Sequence, residues 1–361
     1  MGFVGKSLAM AITNNTDIHV TGYDENGFRA RDLNEANLGF WTTHEESEIP
    51  ASDAYFICVP TPEVDGVPND HPLITAAKVV ERSAQPGALV VIESTAPIST
   101  MDKELFPIFK RSGLLGAYSP ERINPGDTEY DITNTTKILA GMSEEATDTA
   151  KKFYGRFVKN VVVSNDHKAV EAAKILENAY RLINISFINQ FSDACRESGL
   201  DPHEAIRLAS TKDFGFQTFY PGAGIGGHCI PVDPVFMQYY FKNNSTGIDI
   251  LDNAISYNNQ RPESLLSQIE KTHGPLAEKK VLVVGMTYKP DVDDVRNAPG
   301  QKLYNLLLDK GSDVLWHDGL VKEGSSPLEG TYDFIIVAMK HSSLDLSSIT
   351  NGTVIDISKG L

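Results

Sequence analysis

Met1-Gly-Phe-Val-Gly5, Lys6-Ser-Leu-Ala-Met-Ala-Ile12 and Ile18-His-Val-Thr-Gly-Tyr-Asp24 form the stretch whose reading decides the fold. The first segment is a glycine turn, the second has helical spacing, and the third reads as a strand closed by an acid. Gly2-x-x-Gly5, a helix, a strand and Asp24 make up the later part of a dinucleotide-binding βαβ unit. Its glycines let a pyrophosphate approach the helix N-terminus, and its acid accepts hydrogen bonds from the adenosine ribose. An acid at that strand end favours NAD, because it repels the additional phosphate of NADP. The full fingerprint has a strand and one more glycine before this point. The chain begins at what would be the second glycine, so the first strand is expected to be missing, through truncation, or replaced at its central sheet position by another segment. An empty central position would expose an apolar face and unpaired backbone groups.

Downstream, strands and helices alternate. Asp53–Val59, Ala88–Ile92, Lys137–Ala140 and Val161–Val163 read as strands. Leu73–Ser83, Leu105–Arg111 and Glu144–Phe157 read as helices. Such alternation predicts a parallel sheet with helices on both faces, and ligands at the carboxyl ends of its strands. Thr61, Thr95 and Glu121 fall at those ends, although each alone is also an ordinary turn or capping residue. Lys168 to Gly199 reads as one long helix, longer than usual, and hence as a connector between domains and a dimer core. Lys174, Asn178 and Arg181 share one of its faces. In the last third, Lys279–Gly285, Asp313–Asp318, Tyr332–Ala338 and Thr353–Asp356 are strands of a second, smaller doubly wound domain. It lacks the spaced-glycine loop, so a second NAD is not expected there. Lys289 and Arg296, after its first strand, suit phosphate as a fixed cation and a planar fork.

Between these parts lies Tyr220-Pro-Gly-Ala-Gly-Ile-Gly-Gly-His-Cys-Ile-Pro-Val-Asp-Pro234. Glycines crowd Cys229, and Asp233 follows one helical turn later. Glycine lets backbone come close to a ligand, and backbone N–H groups or a nearby cation favour the reactive thiolate. Read alone, such a cysteine is more often a buried structural thiol than a nucleophile. Phe214, Phe216, Phe219 and Tyr220 either line a pocket or belong to the core.

The chain of 361 residues suits two or three domains. Its net charge of −16 argues against nucleic-acid binding. The three cysteines form no disulfide or metal spacing, which places the chain in a reducing, cytoplasmic setting, with no metal expected. No apolar run suits a membrane span and no signal peptide shows.

Seven motifs coincide in order: Gly2-x-x-Gly5 with Asp24, Val59-Pro-Thr-Pro62, Glu93-Ser-Thr95, Ser119-Pro-Glu-Arg-Ile-Asn-Pro-Gly126, Lys174-x-x-x-Asn178, Gly226-Gly-His-Cys-Ile-Pro-Val-Asp233 and Gly285-Met-Thr-Tyr-Lys-Pro-Asp-Val-Asp-Asp-Val-Arg296. Together they resemble the UDP-glucose/GDP-mannose dehydrogenase family over essentially the whole chain. The resemblance implies an α/β architecture of two Rossmann-like doubly wound parallel-sheet domains joined by a central long-helix domain. Its expected boundaries are 1–166 for NAD binding, 167–272 for dimerisation and the catalytic loop, and 273–361 for UDP-sugar binding. It implies a homodimer that oxidises the C6 alcohol of a nucleotide sugar to the carboxylate with NAD. Cys229 would form a thiohemiacetal and then a thioester, with Lys174 and Asn178 stabilising the oxyanions. Asp233, Thr95 and Glu121 would position and activate water. Gly2, Phe3, Val4, Gly5, Asp24, Pro60, Thr61, Thr95 and Arg296 would hold NAD. Glu121, Arg122, Lys174, Asn178, Lys212, Tyr220, Gly222, Gly224, Gly226 and Lys289 would hold the UDP-sugar. His228 and Val232 stand where many UDP-glucose enzymes carry Ser and Lys, which favours the branch acting on UDP-N-acetylhexosamines. Pro125 stands where some relatives carry a second acid. The alternatives are a UDP-glucose 6-dehydrogenase, a sugar-nucleotide-binding protein without turnover, and a two-electron 3-hydroxyacid-type dehydrogenase.

Overall fold

In the computed structural model, residues 1–361 are described except 125, 128 and 347–351, so Pro125 lies outside the described residues. The chain forms two compact units, Met1–Glu177 with Val235–Asn244, and Asn178–Pro234 with Ser245–Leu361.

The first unit opens with α1 (Phe3–Asn15), which buries Leu8 and Ile12, then β1 (Thr21–Tyr23), α2 (Gly27–Glu35) and β2 (Trp41–Thr43). The first strand is thus shorter than the sequence suggests. Next come β3 (Ala54–Ile57), a small hairpin of β4 (Glu63–Val64) and β5 (Val67–Pro68), and α3 (His71–Ser83). They are followed by β6 (Leu89–Ile92), α4 (Phe106–Arg111), β7 (Leu115–Tyr118), β8 (Lys137–Gly141), α5 (Glu144–Tyr154) and β9 (Val161–Val163). Its last long element is α6 (His167–Glu197), which continues into the second unit.

Two features mark the sheet of the first unit. First, as the sequence leads one to expect, the leading strand is missing: among the described residues no segment takes the position between β1 and β3, β1 pairs with β2, and the other five strands run β3-β6-β7-β8-β9. The Met1 side chain lies in this region, against both Gly22 of β1 and Gly5. Second, the sheet is not wholly parallel. β8 runs antiparallel to β7, with Tyr118 opposite Ala140, while β9 is parallel to β8. The reversal brings the start of β8, Lys137, to the edge where β7 ends. A parallel β8 would have carried Lys137 to the opposite edge. The apolar core on either side is built from alternating strand residues, Val90 and Ile92 facing one cluster and Leu89 and Val91 the other.

The second unit has α7 (Pro202–Ala209), capped by the Asp201 side chain, and α8 (Asp233–Asn244), which passes into the first unit. After α9 (Asp249–His273) it forms β10 (Lys280–Val284), α10 (Pro299–Asp309), β11 (Asp313–His317), β12 (Phe334–Val337) and β13 (Thr353–Asp356). The strands run parallel in the order β11-β10-β12-β13, the doubly wound arrangement expected from sequence. Asp318, just after β11, occupies the place of a ribose acceptor in a dinucleotide fold, but it is 2% exposed. Its carboxylate accepts from the N–H of Met286 (2.7 Å), Leu320 (2.8 Å) and Val321 (3.2 Å), and meets Nε2 of His341 at 3.2 Å.

Among the described residues no helix is long and apolar enough to cross a membrane, and no group of three or more His, Cys, Asp or Glu is placed to hold a metal ion.

Candidate active site

In the first unit, the predicted cofactor residues surround the start of α1. Gly2 caps that helix with extended backbone and no side-chain cap, and a Cβ built there would meet nothing within 4 Å. Space beside Gly2 at the start of α1 is thus open, which suits the approach of a pyrophosphate. Phe3 is exposed, Val4 half-buried and Gly5 buried. Asp24 follows β1 and pairs with the Met1 ammonium, while its other oxygen accepts from Asn26 N–H at 2.9 Å. These residues fit the diphosphate and adenosine ribose of NAD.

The strand ends of the same sheet carry the other candidates. Ser94 Oγ accepts from Val59 N–H (2.8 Å) and donates to Val59 C=O (2.7 Å), which ties Pro60 and Thr61 to the segment holding Thr95. Thr61 and Thr95 are half-buried and Pro60 is exposed. Glu121, just beyond β7, is buried; its Oε1 accepts from the N–H of Arg122 (2.6 Å) and Ile123 (2.9 Å), and its Oε2 from Lys137 Nζ at 3.0 Å. Lys137 also donates to Glu93 Oε2 at 2.6 Å, and the Tyr154 hydroxyl donates to Glu93 Oε1. Burial opposes ionisation of Glu121, but Lys137 and the two N–H donors outweigh it and hold its carboxyl below the usual range. Glu93 has no backbone donor to help it. Burial, with Glu121 beside it, pushes its carboxyl up to about 7 despite Lys137. The Arg122 guanidinium reaches Thr136 C=O (2.7 Å) and Glu177 (2.6 Å).

Lys174 is buried on α6, in line with Asn178 one turn on. Glu171, a turn before Lys174, is fully buried and accepts from Ser99 N–H (2.7 Å) and Met101 N–H (2.9 Å). Burial, only partly offset by those donors, raises its carboxyl to about 7.

In the second unit, the glycine loop is threaded against the turn after β10. Gly227 N–H donates to Arg296 C=O at 2.8 Å, and Asn297 Nδ2 donates to Gly227 C=O at 2.9 Å. Gly222 N–H donates to Asn189 (2.9 Å), and Asn258 both accepts from Ile225 N–H (2.8 Å) and donates to its C=O (3.1 Å). Gly224 has φ +129°, which favours glycine. Cys229 is half-buried, and its carbonyl accepts from the N–H of Asp233 at 2.9 Å. It lies close enough to Tyr288 and Arg296 to influence both side chains. Asp233 is buried and accepts from Asn178 Nδ2, whose Oδ1 accepts from Arg181. Cys229, Asp233 and Asn178 thus share one unit, with Tyr288 added to the residues that sequence singled out. The thiol of Cys58, by contrast, is pushed well above its ordinary range by burial and by Glu93.

Arg296 forms a fork with Asp294, two residues before it in the chain. Lys289 is half-buried. Lys212 lies exposed over the Phe214 ring, 4.8 Å from its centroid. Phe214, Phe216 and Tyr220 are exposed, so they are not core residues. Lys137 and Tyr154 went unnoticed in sequence. The only signal was a lysine opening an otherwise apolar strand.

Residues 30–158, 168–260 and 282–353 match, respectively, the NAD binding domain, the central domain and the UDP binding domain of the UDP-glucose/GDP-mannose dehydrogenase family. The chain is 32% identical to a UDP-N-acetyl-D-mannosamine dehydrogenase of Methanocaldococcus jannaschii, over 86% of this chain and 72% of that protein. It is 28% identical to one from Campylobacter jejuni, over 86% of this chain and 78% of that protein. The fold is similar to a UDP-D-ManNAc dehydrogenase structure from Pyrococcus horikoshii, with a TM-score of 0.89 at 27% identity, covering 99% of this chain and 93% of that one. A UDP-glucose dehydrogenase structure from Pyrobaculum islandicum has a TM-score of 0.87 at 21% identity, covering 100% of this chain and 96% of that one. That second likeness concerns the fold alone. The chain therefore belongs to the UDP-glucose/GDP-mannose dehydrogenase family and is an NAD-dependent UDP-sugar dehydrogenase.

Proposed function

We propose that the chain oxidises the C6 alcohol of a UDP-N-acetylhexosamine, the manno epimer first, to the uronate through a covalent Cys229 intermediate. The observation that carries this reading is a half-buried thiol in a glycine-dictated loop, followed by Asp233 hydrogen-bonded to Asn178. The names of the relatives from M. jannaschii and C. jejuni support the sugar.

Bound NAD would accept one hydride in each of two oxidations, the first of which also releases the C6 hydroxyl proton to water and leaves the aldehyde. Gly2, Gly5, Asp24, Pro60, Thr61 and Thr95 are the residues to hold it. The Cys229 thiolate adds to the C6 aldehyde, forming a C–S bond and a hemithioacetal oxyanion. Lys174 and Asn178 stabilise that oxyanion as donors. After the second oxidation the carbon is a Cys229 thioester. Glu121 takes a proton from water as the water oxygen adds to the thioester carbon, with Asp233 orienting it. The C–S bond breaks, and the sulfur leaves as thiolate. Lys289 serves the UDP diphosphate, Arg122 the substrate and Arg296 the cofactor side, and residues 1–166, 167–272 and 273–361 divide cofactor, dimer and UDP-sugar functions. The working form is a cytoplasmic homodimer joined through the exposed Tyr180 and Phe187 face of α6.

The test is NADH formation with UDP-ManNAc, UDP-GlcNAc, UDP-glucose and GDP-mannose in parallel, together with the Cys229→Ser variant. Two NADH per uronate and no uronate from Cys229→Ser are expected. One NADH per sugar, or a fully active Cys229→Ser, refutes the covalent path. Turnover of UDP-glucose alone refutes the choice of sugar.

A further inference from the structure

We propose that Lys137, held by Glu93 and Tyr154, is a positioning residue of the reaction that keeps Glu121 ionised and fixed in direction. The inference rests on the role given to Glu121 above. Four side chains form one buried line. The Tyr154 hydroxyl donates to Glu93, Glu93 accepts from Lys137 at 2.6 Å, and Lys137 donates to Glu121 at 3.0 Å. Lys137 is 2% exposed, Glu93 1% and Tyr154 0%. A buried ammonium is retained at such depth only when carboxylates compensate it.

The line is asymmetric. Glu121 has two backbone N–H donors in addition to the ammonium, whereas Glu93 has a phenol. Three acceptor bonds to Glu121 favour its charged form, so of the two carboxyls Glu93 takes the proton near neutrality. Environments that push two carboxyls apart divide them into a base and a proton-bearing partner. The reversed strand β8 makes this possible by bringing Lys137 to the end of β7. The other ionisable group facing the line is Cys58 just beyond β3, which feels Glu93, Lys137 and Glu121, and which the Met1 ammonium also influences. Arg122 is engaged by Thr136 and Glu177.

The experiment is the pH profile of kcat and kcat/KM for Lys137→Met, Lys137→Arg, Glu93→Gln and Glu121→Gln, with folding checked by circular dichroism. Without the ammonium, Glu121 should protonate at higher pH. In Lys137→Met the acid limb is expected to move up by about one pH unit or more. Activity at neutral pH should fall, recovering in alkali, while KM for sugar nucleotide and NAD stays within about threefold. Lys137→Arg should restore the limb. Glu93→Gln leaves no lone buried charge and should remove the inflection near neutrality that Glu93 imposes. An unmoved acid limb in Lys137→Met, at any rate, overturns the inference. If Lys137→Met does not fold, a Glu93→Gln profile identical to the wild type overturns it instead. Glu121→Gln separates the two levels. Full activity in that variant defeats the role of Glu121 itself, whereas an inactive Glu121→Gln beside unmoved limbs elsewhere defeats only the part assigned to Lys137.

Discussion

Replacing Gly226 with alanine should disable the thiol loop, while the same change at Gly222 should not. Neither glycine has positive φ, so backbone strain is not the issue at either position. The difference is steric. A Cβ on Gly226 would stand 2.7 Å from Asn297 O, 2.8 Å from Tyr288 Cβ and 3.1 Å from Ala298 Cα. These are backbone atoms or the stiff root of a side chain, and each lies short of the roughly 3.5–4.0 Å at which carbon contacts are optimal. The loop must withdraw by about 0.5–1 Å. Overpacking of this kind costs about 1–3 kcal/mol, which in a unit of this size lowers Tm by roughly 2–12 °C. Cys229 lies three residues further on, and a misplacement of about 1 Å costs on the order of 100-fold in rate. The expected kcat for Gly226→Ala is therefore about 10- to 100-fold below wild type, with KM for NAD unchanged. At Gly222 the nearest atom to a Cβ is Ser358 O at 3.4 Å, an ordinary contact. Steady-state kinetics and thermal melts of both variants decide the matter. Wild-type kcat and Tm in Gly226→Ala would refute the reasoning, as would equal damage in Gly222→Ala.

Glu171 supplies a pH test: a carboxyl raised in the fold from 4.5 to about 7 binds its proton more tightly than the unfolded chain does. Its contribution is full below pH 4.5 and is lost as pH rises to about 7, a loss of roughly 3 kcal/mol. Urea unfolding at a series of pH values should show Glu171→Gln flattening that decline; an unchanged slope refutes it. Asn178→Asp would set a second carboxylate against Asp233, so its Tm deficit should widen from pH 5 to pH 8. A constant deficit would mean the two groups do not meet. Asp318→Ala strips the acceptor from three N–H groups and His341, and should lower the unfolding free energy by about 3 kcal/mol; a loss below about 1 kcal/mol by urea titration would refute the latch.

Much of this was legible because it is local. The alternation of apolar runs and helices, the 31-residue helix α6 and the glycine loop each announce themselves within a short window. β2 and β7 escaped because Trp41-Thr-Thr43 and Leu115-Gly-Ala-Tyr118 lack the unbroken β-branched or aliphatic run that marks an equally short strand such as Val161–Val163. The reversal of β8 escaped for a deeper reason, since strand direction is decided by pairing across the sheet and leaves no mark in Lys137-Ile-Leu-Ala140. With the direction unknown, the partners of Lys137 were hidden too, because Glu93 lies 44 residues before it in the chain. Arg296 shows the opposite limit. Its fork suits phosphate, yet Asp294 two residues earlier offers a carboxylate that the fork already grips.

Asp318 has a consequence for how the two Rossmann-like folds share work. It stands where a dinucleotide fold would offer its acid to a ribose, yet its carboxylate is spent as cross-bracing between the turn after β10 and the segment around His341. For an adenosine to hang there, three amide bonds and a histidine contact would first have to let go. The acid that a ribose would need in the second fold is thus already committed to the fold's own backbone and to His341. Raising the NAD concentration should accordingly saturate the rate without a second, inhibitory phase.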